Sequence, residues 1–570
     1  MCHAQHRTAS LLTVCLTLLF CCTVLALAPS ADAAETTSPD DGLVLLSDGT
    51  GPSVSRPQRD CTGLLAERQS LIQAVQTAVD RTDGVSMGTP AVYPTTLTVT
   101  AADFSGYRRT GAGNLTDGAV ISYSTLIPLT VTGLQTGVAS AEDNYQALER
   151  VLDLVASFTV EQADRYRDVM FKVTLPPGVY YISYYDSAEQ SSQCLHLCRN
   201  TWLSMKGVTI RKADTVNCAM LRNCRGSSGA SGYTASGNLI LEGGTWDVDM
   251  AHFDAGSETD RFSSIRLGHG ENILLTGVTF LGSINGHHLE LCGIQGCSVV
   301  NCTFRGYLDT AYRGSCDYKE AIQIDVVNND AIAPAFGCYD DTVSGDVVIY
   351  GNRFQNLCRG VGGHNAVYGV YYARIVVQNN LFSHLTAEAF YGLNYQDTLI
   401  DGNTMHQVGA GIALYALTAS ADGNYFRPCN GALPPLAAVQ CRDARITISH
   451  NDILVNLFSP LRYGCGVMAY GCAYSDQLYQ EQYGGATFWM RGVTVTGNRI
   501  RWAQDAGIYL HCAYDAAVSG NRIDRVLCGH SLDGAPISAA NCLWREKPMN
   551  PANWQKKPPF SPQVGLSTTE

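Results

Sequence analysis

Five short segments gather the side chains that carry proton-transfer chemistry. They are GHHLELCG (Gly286 to Gly293), EAIQIDV (Glu320 to Val326), RGVGGHNAV (Arg359 to Val367), EAFYGLN (Glu388 to Asn394) and AGIALYA (Ala410 to Ala416). Their apolar and polar residues alternate with period two, as in a strand with one buried face. With Leu289, Ile322 and Val361 facing inward, Leu291 and Ile324 also point in. The outward column then reads His288, Glu290 and Cys292, next Gln323 and Asp325, next Gly362 and His364, next Tyr391. Glu320, Arg359, Glu388 and His287 share a row at the strand starts. Cleaving a glycosidic bond needs one carboxyl kept protonated and a second kept ionised. Asp325 and Glu290 are the first choice for that pair, with Glu320 third. A like charge raises one carboxyl's pKa, while Arg359 or a protonated histidine lowers the other's. His288, Gln323, His364, Arg359 and Tyr391 are the expected substrate contacts. Gly360, Gly362 and Gly363 leave room beside His364, and Asp340 and Asp341 stand in the stretch between Val326 and Val347 that would wall the site.

The elements that must position these residues are set by a returning phrase, apolar–x–apolar–x–x–Asn–x–apolar. It reads VVIYGNRF (Val347 to Phe354), IVVQNNLF (Ile375 to Phe382), LIDGNTM (Leu399 to Met405), ITISHNDI (Ile446 to Ile453), VTVTGNRI (Val493 to Ile500) and AVSGNRI (Ala517 to Ile523). ILLTGVTF (Ile273 to Phe280) and LILEGGTW (Leu239 to Trp246) are variants lacking the Asn. The corner residues are Asn352, Asn380, Asn403, Asn424, Asn451, Asn498 and Asn521, mostly one solenoid coil apart, with the interval from 451 to 498 close to two. One such unit cannot bury its apolar face, whereas stacked units can, each coil ~4.8 Å above the last. Gly and Asn at the corner tolerate the left-handed backbone a tight bend needs, and stacked Asn side chains can form an internal ladder. The pattern predicts an all-β, right-handed parallel β-helix.

LPPGVYYI (Leu175 to Ile182), NTWLSMKGVTI (Asn200 to Ile210), GGTW and the Asn-corner coils together resemble carbohydrate-active proteins of the pectin-lyase-like β-helix superfamily, over roughly residues 140 to 526. The resemblance implies the fold and a saccharide ligand. It does not choose among hydrolases, lyases, esterases, epimerases and tailspikes. The polygalacturonase signatures are not matched: Gly268-His269-Gly270 occurs out of order, ahead of Glu271. No catalytic residue is therefore carried over from that family.

Residues 1–33 read as a secretory signal, with Arg7, an apolar run from Leu11 to Leu27 and the small-x-small site Ala31-Asp32-Ala33. A flexible linker is expected at 34–60, an appended layer with a helix at 61–140, the β-helix at 141–526 and a capping tail at 527–570. A second amphipathic helix, Asp143 to Val155, would close the open end of the solenoid. Of 22 cysteines, four lie in the signal, and the remaining 18 point to disulfides in an oxidising compartment, with Cys194/Cys198, Cys218/Cys224, Cys292/Cys297 and Cys465/Cys472 as local pairs. A net charge of −13 argues against nucleic acid or a highly sulfated glycan as partner. Few charged residues and 29 tyrosines suit a neutral sugar, whose ring faces stack on aromatics.

The sequence thus predicts a secreted, monomeric glycoside hydrolase without metal or cofactor, acting on a neutral or weakly charged oligo- or polysaccharide and not inserted in a membrane. A lyase on a uronate glycan is the alternative enzyme, although the patch has one Arg and, at its edge, Lys319. A glycan-binding adhesin solenoid is the non-enzymatic alternative.

Overall fold

The computed structural model describes most of residues 62–540. The longer gaps are 99–115, 253–262, 309–318, 417–423, 472–482 and 528–536. The signal, the linker and the expected C-terminal cap beyond residue 540 lie outside the described residues.

Parallel strands build two long sheets, of 15 and 21 strands. One coil shows the plan. Tyr372–Gln378 lies in the first sheet, the chain turns at Asn380, and Leu381–Leu393 crosses the second sheet with a bend between Leu385 and Glu388. Tyr395–Asp401 then returns to the first sheet, one coil further on. The protein is a right-handed parallel β-helix.

Alternation puts identical environments in register. Ile273, Cys297, Val347, Ile375, Thr398, Ile446 and Val493 form one rung line. Phe280, Phe304, Phe354 and Phe382 stack with centroids 4.8, 4.9 and 4.5 Å apart. Offset aromatic stacking of this kind adds to simple area burial.

The Asn corner forms the expected ladder. Each side-chain amide donates to the next Asn oxygen, from Asn352 to Asn380, Asn403, Asn451, Asn498 and Asn521, at 2.9–3.0 Å. The ladder starts one coil earlier at Cys302, whose backbone N–H donates to Asn352 Oδ1 at 2.8 Å. Two details of the sequence reading are corrected. Asn424 is not a corner: it lies in Asn424–Phe426, which pairs with Asn365–Val367 in a separate two-stranded sheet. The interval from Asn451 to Asn498 is one coil and not two, because Asp443–Ser449 pairs directly with Met490–Thr496.

The N-terminal layer is joined to the solenoid. Val120–Val131 runs parallel to Val169–Thr174, and Val85–Met87 and Ala91–Thr98 pair antiparallel to it. Helix Ala141–Thr159 buries Tyr145, Leu148, Val151, Leu152 and Val155, the face expected to cover the open end. Among the described residues no helix is long and apolar enough to cross a membrane.

Among the described residues Cys194, Cys218, Cys292, Cys297 and Cys465 are free thiols, so the expected local disulfides are not found there. Cys292 and Cys297 sit in different sheets on either side of the turn at Gly293. The Cys198 thiol reaches the Leu152 carbonyl of the capping helix, away from Cys194. Cys224 and Cys472 lie outside the described residues.

Candidate functional site

The strand register matches the one read from the alternation. Leu289 pairs with Ile322 and Ile322 with Val361, so Glu290, Gln323, Gly362 and Tyr391 form one lateral row on the outer face. Asp325 lies opposite Cys292 in the next row. Arg222 and Arg266 extend the Glu290 row on one side, and Ala413, Met468 and Tyr509 on the other.

The carboxyls on this face are buried and held. Glu290 accepts from Arg266 Nε at 2.5 Å and from the Ser263 hydroxyl. Burial alone would raise its pKa, but Arg266, His287 and Ser263 outweigh it and hold the group down at about 2. Glu320 is fully buried and accepts from Arg359 Nη1 at 2.8 Å, while Arg359 Nε donates to Glu388 at 2.7 Å. The guanidinium also stacks 3.9 Å above the Tyr391 ring. Burial opposes the Arg359 charge, yet Glu388 and Glu320 raise its pKa well above the usual value. The row foreseen at the strand starts is therefore a carboxylate–guanidinium–carboxylate triad, with His287 Nδ1 2.8 Å from the Glu320 carbonyl oxygen.

Asp325 is also fully buried. Its Oδ2 accepts from the Gln323 amide at 2.7 Å and the Asn365 amide at 2.8 Å. Its Oδ1 accepts from the Val326 N–H at 3.0 Å and lies 2.7 Å from the Tyr372 hydroxyl. Burial, then the Asp325 charge, pushes the Tyr372 phenol well above its usual range. Gln323 thus serves Asp325 and is itself buried.

Other expected site residues stand elsewhere. His288 is corrected from the outward column to the core. The strand begins only at Leu289, and in the bend before it the alternation no longer fixes direction. The His288 ring meets Phe280 and Phe304 edge-on, and its Nε2 lies 2.9 Å from the Gly306 carbonyl oxygen. Asp340 and Asp341 lace loops together. Asp340 accepts from Gly232 N–H at 2.6 Å and from Thr342, while Asp341 accepts from Asn328 at 2.6 Å and Cys429 N–H at 2.7 Å. Burial works against the Asp340 charge, but these Thr342 and Gly232 hydrogen bonds keep its pKa below the usual value. His364 lies outside the described residues.

Beyond the carboxyls the face turns aromatic. Tyr391 and Tyr415 have centroids 5.3 Å apart, Tyr415 and Tyr470 5.7 Å, and Tyr470 stacks on His511 at 4.1 Å. Tyr415 and Tyr470 are half-buried, more open than any carboxyl of the cluster. The register Leu393–Tyr415–Tyr470–His511 places one ring on each of three successive strands. The sequence reading stopped at Tyr415 and missed Tyr470 and His511. It also missed Arg266, one coil before Glu290 and legible from the strand pattern. Tyr372 begins a strand of the other long sheet and Asn365 lies in the separate two-stranded sheet, so the period of the Asp325 strand does not announce either.

The stacked coils define the protein as a right-handed parallel β-helix. No family model and no curated protein matches the chain. Similar solved structures include the surface adhesin PfbA of Streptococcus pneumoniae, 17% identical over 70% of this chain and 96% of that one, with a TM-score of 0.46. A mannuronan C-5 epimerase A-module of Azotobacter vinelandii is 13% identical over 74% of this chain and 100% of that one, TM-score 0.42. A tailspike protein of an E. coli bacteriophage, solved with a pentasaccharide, is 14% identical over 72% of this chain and 63% of that one, TM-score 0.42.

Proposed function

We propose that this is an extracellular glycan-binding β-helix that holds a saccharide chain along the outer face of the larger sheet. The observation that carries the reading is the run Tyr415–Tyr470–His511, rings on consecutive strands with centroids 5.7 and 4.1 Å apart. Strands recur every ~4.8 Å, a spacing on the scale of one sugar ring, and the coils hold the aromatics rigidly. The charged cluster beside the run serves the fold in this reading, since Glu290, Glu320 and Arg359 each have a partner of opposite charge.

Glycoside hydrolysis is the second reading, favoured by two buried carboxyls, Glu290 and Asp325, on adjacent strands of this face. Arg266 holds Glu290 ionised, and Asp325 accepts from the Gln323 and Asn365 amides and the Val326 N–H beside the Tyr372 hydroxyl. The two carboxyls are diagonal neighbours across one strand pair, with Glu290 opposite Gln323 and Asp325 opposite Cys292. Catalysis would require substrate to reach the buried Asp325. No observation favours the lyase, because Arg266 and Arg359 are both engaged by glutamates.

The test is binding to a panel of neutral oligosaccharides, with product release followed by mass spectrometry for the wild type and Asp325→Asn. Binding without product supports the first reading. Saturated products that vanish in Asp325→Asn establish the second, and binding to no glycan removes both.

A further inference from the structure

One residue of each coil stands in the left-handed backbone region just ahead of the corner that carries the Asn ladder. Coil by coil this column reads Gly277, Asn301, Gly351, Asn379, Gly402, His450, Gly497 and Gly520. Each larger side chain therefore has glycine on both sides. The reason is steric. A methyl built on Gly351 would come 2.5 Å from Asn301 Oδ1, and one on Gly402 2.5 Å from Asn379 Oδ1, so these side chains lean over the next coil. The Gly277 side of Asn301 is open, since a methyl there would meet no atom within 4 Å. Asn301 is accordingly exposed. It also begins the triplet Asn301-Cys302-Thr303. Thr303 is half-buried on the strand Thr303–Arg305 and alternates with the core residue Phe304. The Cys302 thiol is free and turned into the core, 1% exposed. The corner does not itself call for a hydroxyl at the third position, which on other coils is Arg353, Leu381, Asp452 or Arg499. The chain's other Asn-x-Thr triplet begins at Asn114, outside the described residues.

We propose that Asn301 is a modification site that carries an N-linked oligosaccharide. An exposed Asn followed two residues on by Thr is the acceptor such transfer requires, with any residue but proline between them. Asn301 Nδ2 bonds to the anomeric carbon of a lipid-diphosphate-linked oligosaccharide, the diphosphate leaves with the bonding pair, and the amide gives up one proton. Transfer acts on the chain before it folds, so the folded corner has only to accommodate the sugar, and the open side towards Gly277 does so. With the Cys302 thiol free in the core, no disulfide competes at the middle position. The long strand Thr404–Ala416 runs from the corner at Asn403 to Tyr415, so the corner column and the aromatic run stand at its opposite ends. The covalent glycan is thus set apart from the saccharide which that face would bind. The inference rests on the extracellular part of the proposed function, because transfer requires entry into the secretory route.

The experiment expresses the full chain in a eukaryotic secretory host and recovers it from the medium and from the cells. Peptides are mapped by mass spectrometry before and after treatment with an amidase that removes N-linked glycans and converts the bearing Asn to Asp. In chain from the medium, residue 301 is expected to read as Asp only after treatment, with Asn272 and Asn379 unmodified. Thr303→Val keeps a β-branched strand residue and removes the hydroxyl, and should abolish the modification, whereas Thr303→Ser should retain it. Asn301→Gln should lack it and bind the panel oligosaccharide as the wild type does. Chain in the medium with Asn301 unmodified, or a glycan that persists at Asn301 in Thr303→Val, would overturn the inference and leave the glycan-binding face standing. A chain confined to the cytosol would overturn the inference together with the extracellular reading. A wild type glycosylated at Asn301 that binds no oligosaccharide would overturn the face and keep the site.

Discussion

Replacing His288 with Phe should make the protein more acid-resistant. The ring is packed edge-on against Phe280 and Phe304, its Nε2 is 2.9 Å from the Gly306 carbonyl, and its Nδ1 has no partner. Burial lowers its pKa from 6.5 to about 4. The unfolded chain therefore takes up the proton first as pH falls. Stability from the neutral ring is fully present above pH 6.5 and is lost as pH falls towards 4. The total is about 3 kcal/mol, of which about 2.5 kcal/mol is gone by pH 4.5. Glu290 is also depressed, to about 2, so its contribution is present above its unfolded value of 4.5 and lost below it. That loss is shared by both proteins and cancels in the comparison. At pH 7.5 the variant should be less stable by about 1 kcal/mol, because the Gly306 carbonyl loses its donor. Urea unfolding at pH 7.5 and 4.5, followed by circular dichroism, gives the four midpoints. The wild type should lose about 2.5 kcal/mol more than His288→Phe between the two pH values. An equal loss in both proteins would refute the assignment of His288 to the core as a neutral imidazole.

Three further outcomes follow from the same packing. Arg359→Leu leaves Glu320 and Glu388 buried without their cation and should destabilise the fold by about 3–5 kcal/mol in urea unfolding at pH 7. Asn403→Ala removes the ladder oxygen that accepts from Asn380 and the amide that donates to Val377 and Asn451, and should cost about 2–4 kcal/mol by thermal or urea unfolding. Gly362→Ala would put a methyl 1.9 Å from the Tyr391 carbonyl oxygen, a backbone atom that cannot rotate away. It should lower expression and the melting temperature more than Gly431→Ala, whose added methyl meets nothing but whose φ of +72° carries its own strain.

Much of the fold was legible because a solenoid repeats its own evidence. Leu289, Ile322 and Val361 hold one phase of a period-two pattern, and a slip of one residue would have turned Glu290 and Asp325 inward. The Asn corner was legible wherever it closed a strand. It misled at Asn424, where a Gly-Asn-Tyr-Phe phrase of the same form lies in an insertion and pairs with Asn365–Val367. His288 failed for the opposite reason, standing one residue before the alternation begins. The site was harder than the fold. An outward column of a solenoid is solvent-facing only where no turn folds over it, and here Phe336 lies 4.9 Å from the Arg266 guanidinium and against Gly268. Such cover comes from the aperiodic turns, which leave no signature in a strand pattern.

The most direct test of the glycan-binding face is calorimetric titration of the wild type, Tyr470→Ala and Asp325→Asn with the oligosaccharide that binds best in the panel. Tyr470→Ala should bind about 10-fold more weakly, the loss expected when a central aromatic contact is truncated, while Asp325→Asn keeps wild-type affinity. Unchanged affinity in Tyr470→Ala, with binding lost in Asp325→Asn, would contradict the account and place recognition at the carboxyl cluster instead.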